Sequence, residues 1–277
     1  MRTIVHLSDL HFGRVDPRIV QHLAKAVADA QPDLVVVSGD FTQRARVQEF
    51  KEAASFLARL PGPRVLVPGN HDVPLYDVMR RWLTPLSRYR RYITADLSPF
   101  YADAEIAVVG VNTARALTFK NGRINQAQLA AVTERLSTFA RDVIRIVVTH
   151  HPFDMPNPTG SGDAPPHGTV GRAQMAMAAL LGSRVDIILS GHLHLSHIGQ
   201  TSQRYRLPGR SALLIQAGTA TSTRKRGEVN AFNIVRVARP ETSVACMFWD
   251  GAQSSFRQVS VKRFLETDTG WSGLDAL

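Results

Sequence analysis

Apolar runs rich in valine and isoleucine recur along the chain at Ile4–Leu7, Leu34–Val37, Val65–Val67, Ile106–Val111, Ile144–Val148 and Val185–Leu189. Several are near-continuous rather than alternating, the pattern of strands buried on both faces. Helix patterns lie between them. Asp16-Pro17 reads as an N-cap and first helical residue ahead of Arg18–Ala30, because the carboxylate accepts an orphan backbone N–H and proline has none to lose. Phe50, Ala53, Ala54, Leu57 and Leu60 share one helical face until Pro61-Gly62-Pro63 ends it. Asn125, with Gln128 three residues on, opens a third helix towards Phe139, and a fourth covers Arg172–Leu181. Strands alternating with helices predict a layered α/β sheet.

Past Gly191 the pattern changes. Residues 205–262 read as successive strands (Ala212–Gln216, Ala231–Ala238, Ser243–Trp249) with turns at Arg239-Pro240 and Asp250-Gly251 and no apolar period of helical length. Taken as a second sheet packed on the first, they give the α/β class, as a four-layer α-β-β-α sandwich of two mixed sheets. One domain then spans 1–265, leaving 266–277 as a tail. The Pro/Gly-rich stretch Pro152–Gly171 is too long for a mere connector and is expected to border a site.

Composition narrows this little. At 277 residues the chain can bury a substantial core, and 44% hydrophobic with 20% charged residues is ordinary for a globular protein. Cys246 stands alone, which excludes an intrachain disulfide. The first apolar run is too short for a signal peptide and no stretch reaches the length of a membrane span, so a cytoplasmic enzyme is expected. The formal charge of +10 suits an anionic partner without naming it.

The chemistry lies in five polar signatures, each directly after an apolar run: Asp9-Leu10-His11, Gly39-Asp40, Gly69-Asn70-His71-Asp72, His150-His151-Pro152 and Gly191-His192-Leu193-His194. Functional groups of α/β sheets gather beyond the carboxyl ends of strands. A core would avoid these residue types unless they were paired or liganded. Mixed carboxylate, imidazole and amide-oxygen donors suit Mn, Fe or Zn rather than Mg or Ca alone. Two such ions about 3.5–4 Å apart need a shared carboxylate, and Asp40, alone in its signature, is the candidate.

The ordered set D-x-H, G-D, G-N-H-D, H-x-P and G-H-x-H, over roughly residues 4–194, resembles the calcineurin-like metallophosphoesterase superfamily. The resemblance implies one metal held by Asp9, His11, Asp40 and His194, and a second held by Asp40, Asn70, His150 and His192. It implies that His71 contacts the phosphate or protonates the leaving group, with Asp72 orienting it. The C-terminal strands, with Gln216-Ala217-Gly218-Thr219 and Asn230-Ala231-Phe232-Asn233, are similar to the second sheet of small bacterial cyclic-nucleotide phosphodiesterases. The implied activity is hydrolysis of a small phosphodiester or nucleotide, including 3',5'-cyclic nucleotides, by a metal-bridging hydroxide. Two other readings are a UDP-diacylglucosamine-type pyrophosphate hydrolase at the membrane surface and a catalytically silent scaffold. With no added DNA-binding domain, nucleic acid is not the expected partner.

The H-x-P register makes His150 the ligand and leaves His151 as a substrate contact or supporting group. His6, His22 and His197 lie outside every signature and read as structural or loop residues. His167, in the long loop, and Arg224-Lys225-Arg226, after Gly218-Thr219, are candidate substrate contacts, Arg224 foremost. Arg80, Arg81, Arg88, Arg90 and Arg91 interleave with Trp82, Leu83, Leu86, Tyr89, Tyr92 and Ile93, a stretch that suits either a solvated helical insertion or peripheral contact with an anionic membrane or substrate.

Overall fold

In a computed structural model the near-continuous apolar runs become strands whose two faces meet different layers. The structure describes residues 1–154, 168–205, 207, 210–223 and 228–274. In β1 (Arg2–Leu7) and β2 (Leu34–Val37), Ile4, Leu34 and Val36 face one way and Val5, Leu7, Val35 and Val37 the other. With a side-chain period of two, a strand apolar at every position needs cover on both sides.

The first sheet continues through β3 (Arg64–Leu66), parallel to β2. The second sheet is made from β4 (Phe100–Ala102), β5 (Ile106–Val111), β7 (Ile144–Thr149), β9 (Ile187–Ser190), β10 (His197–Gln200) and β11 (Leu213–Gln216). Within it β5, β7, β9 and β11 run parallel, with β4 and β10 antiparallel at the edges. The short strands β6 (Gly122–Arg123) and β8 (Val170–Gly171) pair separately.

The remaining strands are β12 (Ala231–Ala238), β13 (Glu241–Asp250), β14 (Ser255–Thr267) and β15 (Gly270–Leu274). They correct the sequence reading. β12 pairs antiparallel with β1, so the first sheet runs β15-β14-β13-β12-β1-β2-β3. The C-terminal strands therefore complete the sheet that the N-terminus began, while the second sheet comes from the middle of the chain. The tail expected at 266–277 holds the end of β14 and all of β15, with Trp271 buried between the sheets.

The sandwich has four layers. Ile4, Val36 and Val65 meet Val108, Ile146 and Leu189 between the sheets. Outside the first sheet lie α1 (Pro17–Asp29), α2 (Val47–Leu57), the short α3 (Val78–Leu83) and α4 (Ser87–Tyr92); α1, α2 and α4 pack Leu23, Phe50 and Tyr89 against Val5, Leu7 and Val37. Outside the second lie α5 (Gln126–Ser137) and α6 (Ala173–Gly182), whose Leu129, Val132 and Met177 cover Val109 and Val147. Asp16 accepts from Arg18 N at 2.9 Å, and Asn125 and Gln128 close a reciprocal capping box, as their spacing predicts. Among the described residues no helix is long and apolar enough to cross a membrane.

Candidate metal centre

The loops leaving β1, β2, β3, β7 and β9 at their carboxyl ends converge, and each brings one signature. Asp9, His11, Asp40, His192 and His194 all have left-handed backbone (φ 54°, 50°, 54°, 75° and 61°). Asp and His tolerate that region better than most residues, at some cost. The twist at alternate positions turns Asp9 with His11, and His192 with His194, to the same side. Local hydrogen bonds hold it: Asp9 N–H donates to Gly39 O at 3.0 Å, His11 N–H to Asp40 O at 2.9 Å and His192 N–H to Asp9 Oδ2 at 2.8 Å. Gly191 is required because a Cβ there would collide with Ser8 Oγ, which itself donates to Asp9 Oδ2 at 2.6 Å.

Two groups of donor atoms result. In the first, His11 Nε2 lies 3.0 Å from His194 Nε2, 3.4 Å from Asp9 Oδ1 and 3.6 Å from Asp40 Oδ2, and His194 Nε2 lies 3.2 Å from Asp9 Oδ1. In the second, His150 Nε2 lies 3.1 Å from Asn70 Oδ1, 3.2 Å from His192 Nδ1 and 3.4 Å from Asp40 Oδ2. Ligands bonded at about 2.1 Å to one ion stand roughly 3.0–3.5 Å apart, so each group has the spacing of a coordination shell. Asp40 Oδ2 belongs to both. Asp9 Oδ1 is buried and accepts no hydrogen bond, the kind of orphan that a cation would satisfy. The donor set fits divalent transition metals.

The electrostatics agree with this. Burial opposes the charge on Asp9, yet His194 and His11 hold its carboxyl well below the usual range. Asp40 is likewise lowered, with His150, His71 and His11 outweighing burial. Burial lowers His11, against Asp9 and Asp40, and pushes His192 down to about 3. His150 goes the other way, to about 9, because Asp40 overcomes its burial. Its Nδ1 donates to Ser38 O at 2.7 Å, which fixes the ring and points Nε2 at the other donors.

His71 and Asp72, expected to act as a pair, separate. His71 lines the cavity, its Nδ1–H donates to Gln43 O at 2.9 Å, and its ring stands edge-on to His11 with centroids 4.8 Å apart. Asp72 was expected to orient that ring. Its carboxylate instead accepts from Gly69 N at 2.9 Å, Thr42 N at 2.9 Å, Thr42 Oγ1 at 3.0 Å and Phe41 N at 3.2 Å. Asp72 thus ties the β3 loop to the β2 loop, and the sequence offers no sign of that role because Phe41 and Thr42, which it binds across the two loops, are distant in the chain. Burial and then the Asp40 charge push Asp72 up to about 7, against the amides that favour its ionised form.

A cavity of about 540 Å³ opens over the donors, lined by Asp40, Asn70, His71, His192 and His194 on its floor, with Arg44, Arg81, Phe119 and Lys120 higher up. Sequence reasoning missed Gln43, Arg44, Phe119 and Lys120; Phe119 O accepts from Asn70 Nδ2 at 3.1 Å and so orients the amide. His151 is fully buried behind His192, its Nδ1 held by Thr113 Oγ1 at 2.8 Å. Its Nε2 has no hydrogen-bond partner, and His150, His151 and His192 form a further group able to hold a metal ion. His6 is buried against Ser38 Oγ at 2.9 Å, and His197 opens β10 rather than lying in a loop. Arg224, Lys225, Arg226 and His167 lie outside the described residues.

Residues 2–196 match the family described as calcineurin-like phosphoesterase. The chain belongs to that family. Over 76 residues (26% of the chain) it is 34% identical to UDP-2,3-diacylglucosamine pyrophosphatase LpxG of Chlamydia muridarum (strain MoPn / Nigg), and over 80 residues (25%) 32% identical to glycerophosphodiester phosphodiesterase GpdQ of Enterobacter lignolyticus (strain SCF1). These matches span 23% and 29% of those proteins, so the chain covers about a quarter of the curated relatives' length. Purple acid phosphatase PPD1 from yellow lupin (Lupinus luteus) seeds shares the fold, at TM-score 0.66 and 12% identity over 95% of this chain and 53% of that one.

Proposed function

We propose that the protein is a two-metal phosphodiesterase acting on a small phosphodiester, with 3',5'-cyclic nucleotides in its range. The observation that carries this is the position of Asp40 Oδ2 between the two donor groups. In this reading Asp9, His11, Asp40 and His194 hold one cation, and Asp40, Asn70, His150 and His192 hold the other, as Mn, Fe or Zn. Bound there, the cations would polarise a phosphoryl oxygen and lower the pKa of an attacking water towards about 7.

The chain's own residues do the rest. The cavity floor seats the phosphate, and Arg44 and Lys120 on its wall favour an anion. His71 gives its Nδ1–H to Gln43 O, so Nε2 is the nitrogen left to meet the phosphate or, when the ring is an imidazolium, to pass its proton to the departing alkoxide and leave the neutral ring. Asp40 Oδ1 accepts the backbone N–H of His71 at 2.8 Å, which couples the ring's position to the donor that both groups share. Asp72 keeps the two loops in register.

The test is hydrolysis of bis(p-nitrophenyl) phosphate by Mn-, Fe- or Zn-loaded protein, with chelator and with Asp40→Asn as controls. Chelator-insensitive turnover, or full activity in the variant, refutes the reading. A panel of cyclic AMP, glycerophosphodiesters and UDP-diacylglucosamine then ranks substrates. A pyrophosphate carried on lipid is the second reading, favoured by likeness to the diacylglucosamine pyrophosphatase and by apolar side chains at the cavity mouth.

A further inference from the structure

The structure divides the arginine-rich stretch in two. Its α4 half packs inward: Tyr89 is fully buried with its hydroxyl on Leu66 O at 3.0 Å, and Arg88 donates to Ala45 O at 2.8 Å. Its α3 half faces out. Tyr76, Met79, Trp82 and Leu83, with Leu117 and Phe119 from the neighbouring loop, are each between 59% and 75% exposed. Arg81 holds the two segments together. Its buried guanidinium donates to Pro74 O and Thr118 O, both at 3.0 Å, and lies over the Phe119 ring at 4.1 Å. Six large apolar side chains this exposed present several hundred Å², at or above the largest patch of an ordinary monomer (~300–600 Å²). Arg81 and Phe119 also line the cavity at the donor groups, so the patch adjoins that cavity and shares Phe119 with its rim.

We infer that this rim docks on an anionic lipid bilayer, which sets the cavity mouth at the membrane surface and brings membrane-borne phosphodiesters into the substrate class proposed above. Charge complementarity selects the occupant. Residues 73–93 carry five arginines and one acid, Asp77, and that acid is bound by Arg80 at 3.0 Å. Arg81 is buried, whereas Arg90 and Arg91 on α4 and Lys120 next to Phe119 are exposed. Two copies of so basic a face would repel, whereas an apolar patch holding Tyr and Trp together with exposed cations is the side-chain mix that settles at a lipid interface. The substrate class rests on the phosphodiesterase reading above; the docking itself does not.

The experiment is co-sedimentation of metal-loaded protein with phosphatidylglycerol/phosphatidylcholine vesicles and with phosphatidylcholine alone, compared with the triple variant Met79→Ser/Trp82→Ser/Leu83→Ser. Binding to anionic vesicles is expected to exceed binding to neutral ones at least tenfold, to weaken with salt, and to fall at least tenfold in the variant. Trp82 fluorescence shifts to the blue on binding. The variant keeps wild-type hydrolysis of soluble bis(p-nitrophenyl) phosphate, which verifies its fold. Absence of vesicle binding, binding that the variant retains, or a wild-type dimer that the variant dissociates overturns the proposal. Vesicle binding by a protein that hydrolyses no diester in any metal form refutes the phosphodiesterase reading and leaves the docking standing.

Discussion

Of the proposed metal ligands, His150 is the one whose proton must leave before a cation can bind. Asp9 and Asp40 are held ionised and His11 and His192 neutral, while Asp40 raises His150 from 6.5 to about 9. Between pH 6.5 and 8.5 the metal-free protein therefore carries an imidazolium where the second donor group needs a lone pair. From this group alone, metal affinity rises about tenfold per pH unit until pH 9. Loading at pH 7.5 should release nearly one proton per chain, measurable by calorimetry in buffers of different ionisation enthalpy. Stability carries the opposite sign. A folded-state pKa above the unfolded one stabilises fully below about pH 6.5 and is lost as pH climbs through 9. Raising His150 from 6.5 to about 9 is worth on the order of 3 kcal/mol, so the metal-free protein weakens across that window while the loaded protein has no such slope. Flat metal affinity from pH 6.5 to 8.5 with no proton release, or the same release from His150→Gln, would refute the ion pair as the controlling feature.

Asp40→Asn removes the one oxygen common to both donor groups, and should lower metal content below two per chain by elemental analysis and cut kcat about 1,000-fold, roughly 4 kcal/mol. His71→Ala leaves metal content unchanged, because the contact of His71 with Asp40 is made by its backbone; kcat should fall about 100-fold or more for an alkyl diester and much less for a p-nitrophenyl ester, whose leaving group needs no proton. Asp72→Ala strands the amides of Phe41, Thr42 and Gly69, at about 1–3 kcal/mol for each buried group left unsatisfied, so a fall in denaturation midpoint with near-normal metal content in the protein that remains folded is expected. Unchanged stability would return Asp72 to a purely catalytic role.

The donor atoms were legible because every signature ends an apolar run, and strand ends are where a sheet gathers its chemistry. Sheet membership was not, because it depends on pairing partners that local pattern does not encode. β12 reads as a strand from Ala231–Ala238 alone, yet nothing in it says that it joins β1 rather than β11. The pattern marks no separate strand after Trp249, so β14 and β15 are not legible, since Arg257–Arg263 holds only Val259 and Val261 among polar residues. Asp72 illustrates the same limit at the site. Its place beside His71 suggests a dyad, whereas, Gly69 apart, its partners Phe41 and Thr42 lie about thirty residues earlier in the loop after β2. The basic stretch likewise read as one unit until Tyr89 and Trp82 were found on opposite sides of the protein's surface boundary.

The strain at the centre accounts for how such short signatures can specify so much. Asp9, His11, Asp40, His192 and His194 all occupy the left-handed region, at roughly 1 kcal/mol or more each and so about 5 kcal/mol together. The alternation in D-x-H and H-x-H is the chemical consequence, because left-handed residues at i and i+2 turn two side chains inward and leave the residue between them to the protein. In the first signature that residue is Leu10, fully buried in the core beneath the first sheet's helices. The N–H bonds to Gly39 O, Asp40 O and Asp9 Oδ2 offset part of the strain, and each joins one loop of the site to another. The ligands are thus held by one another's backbones before any cation arrives. Preorganisation of this kind requires small or turn-tolerant residues at fixed spacing, and these are the positions at which the sequence announced itself.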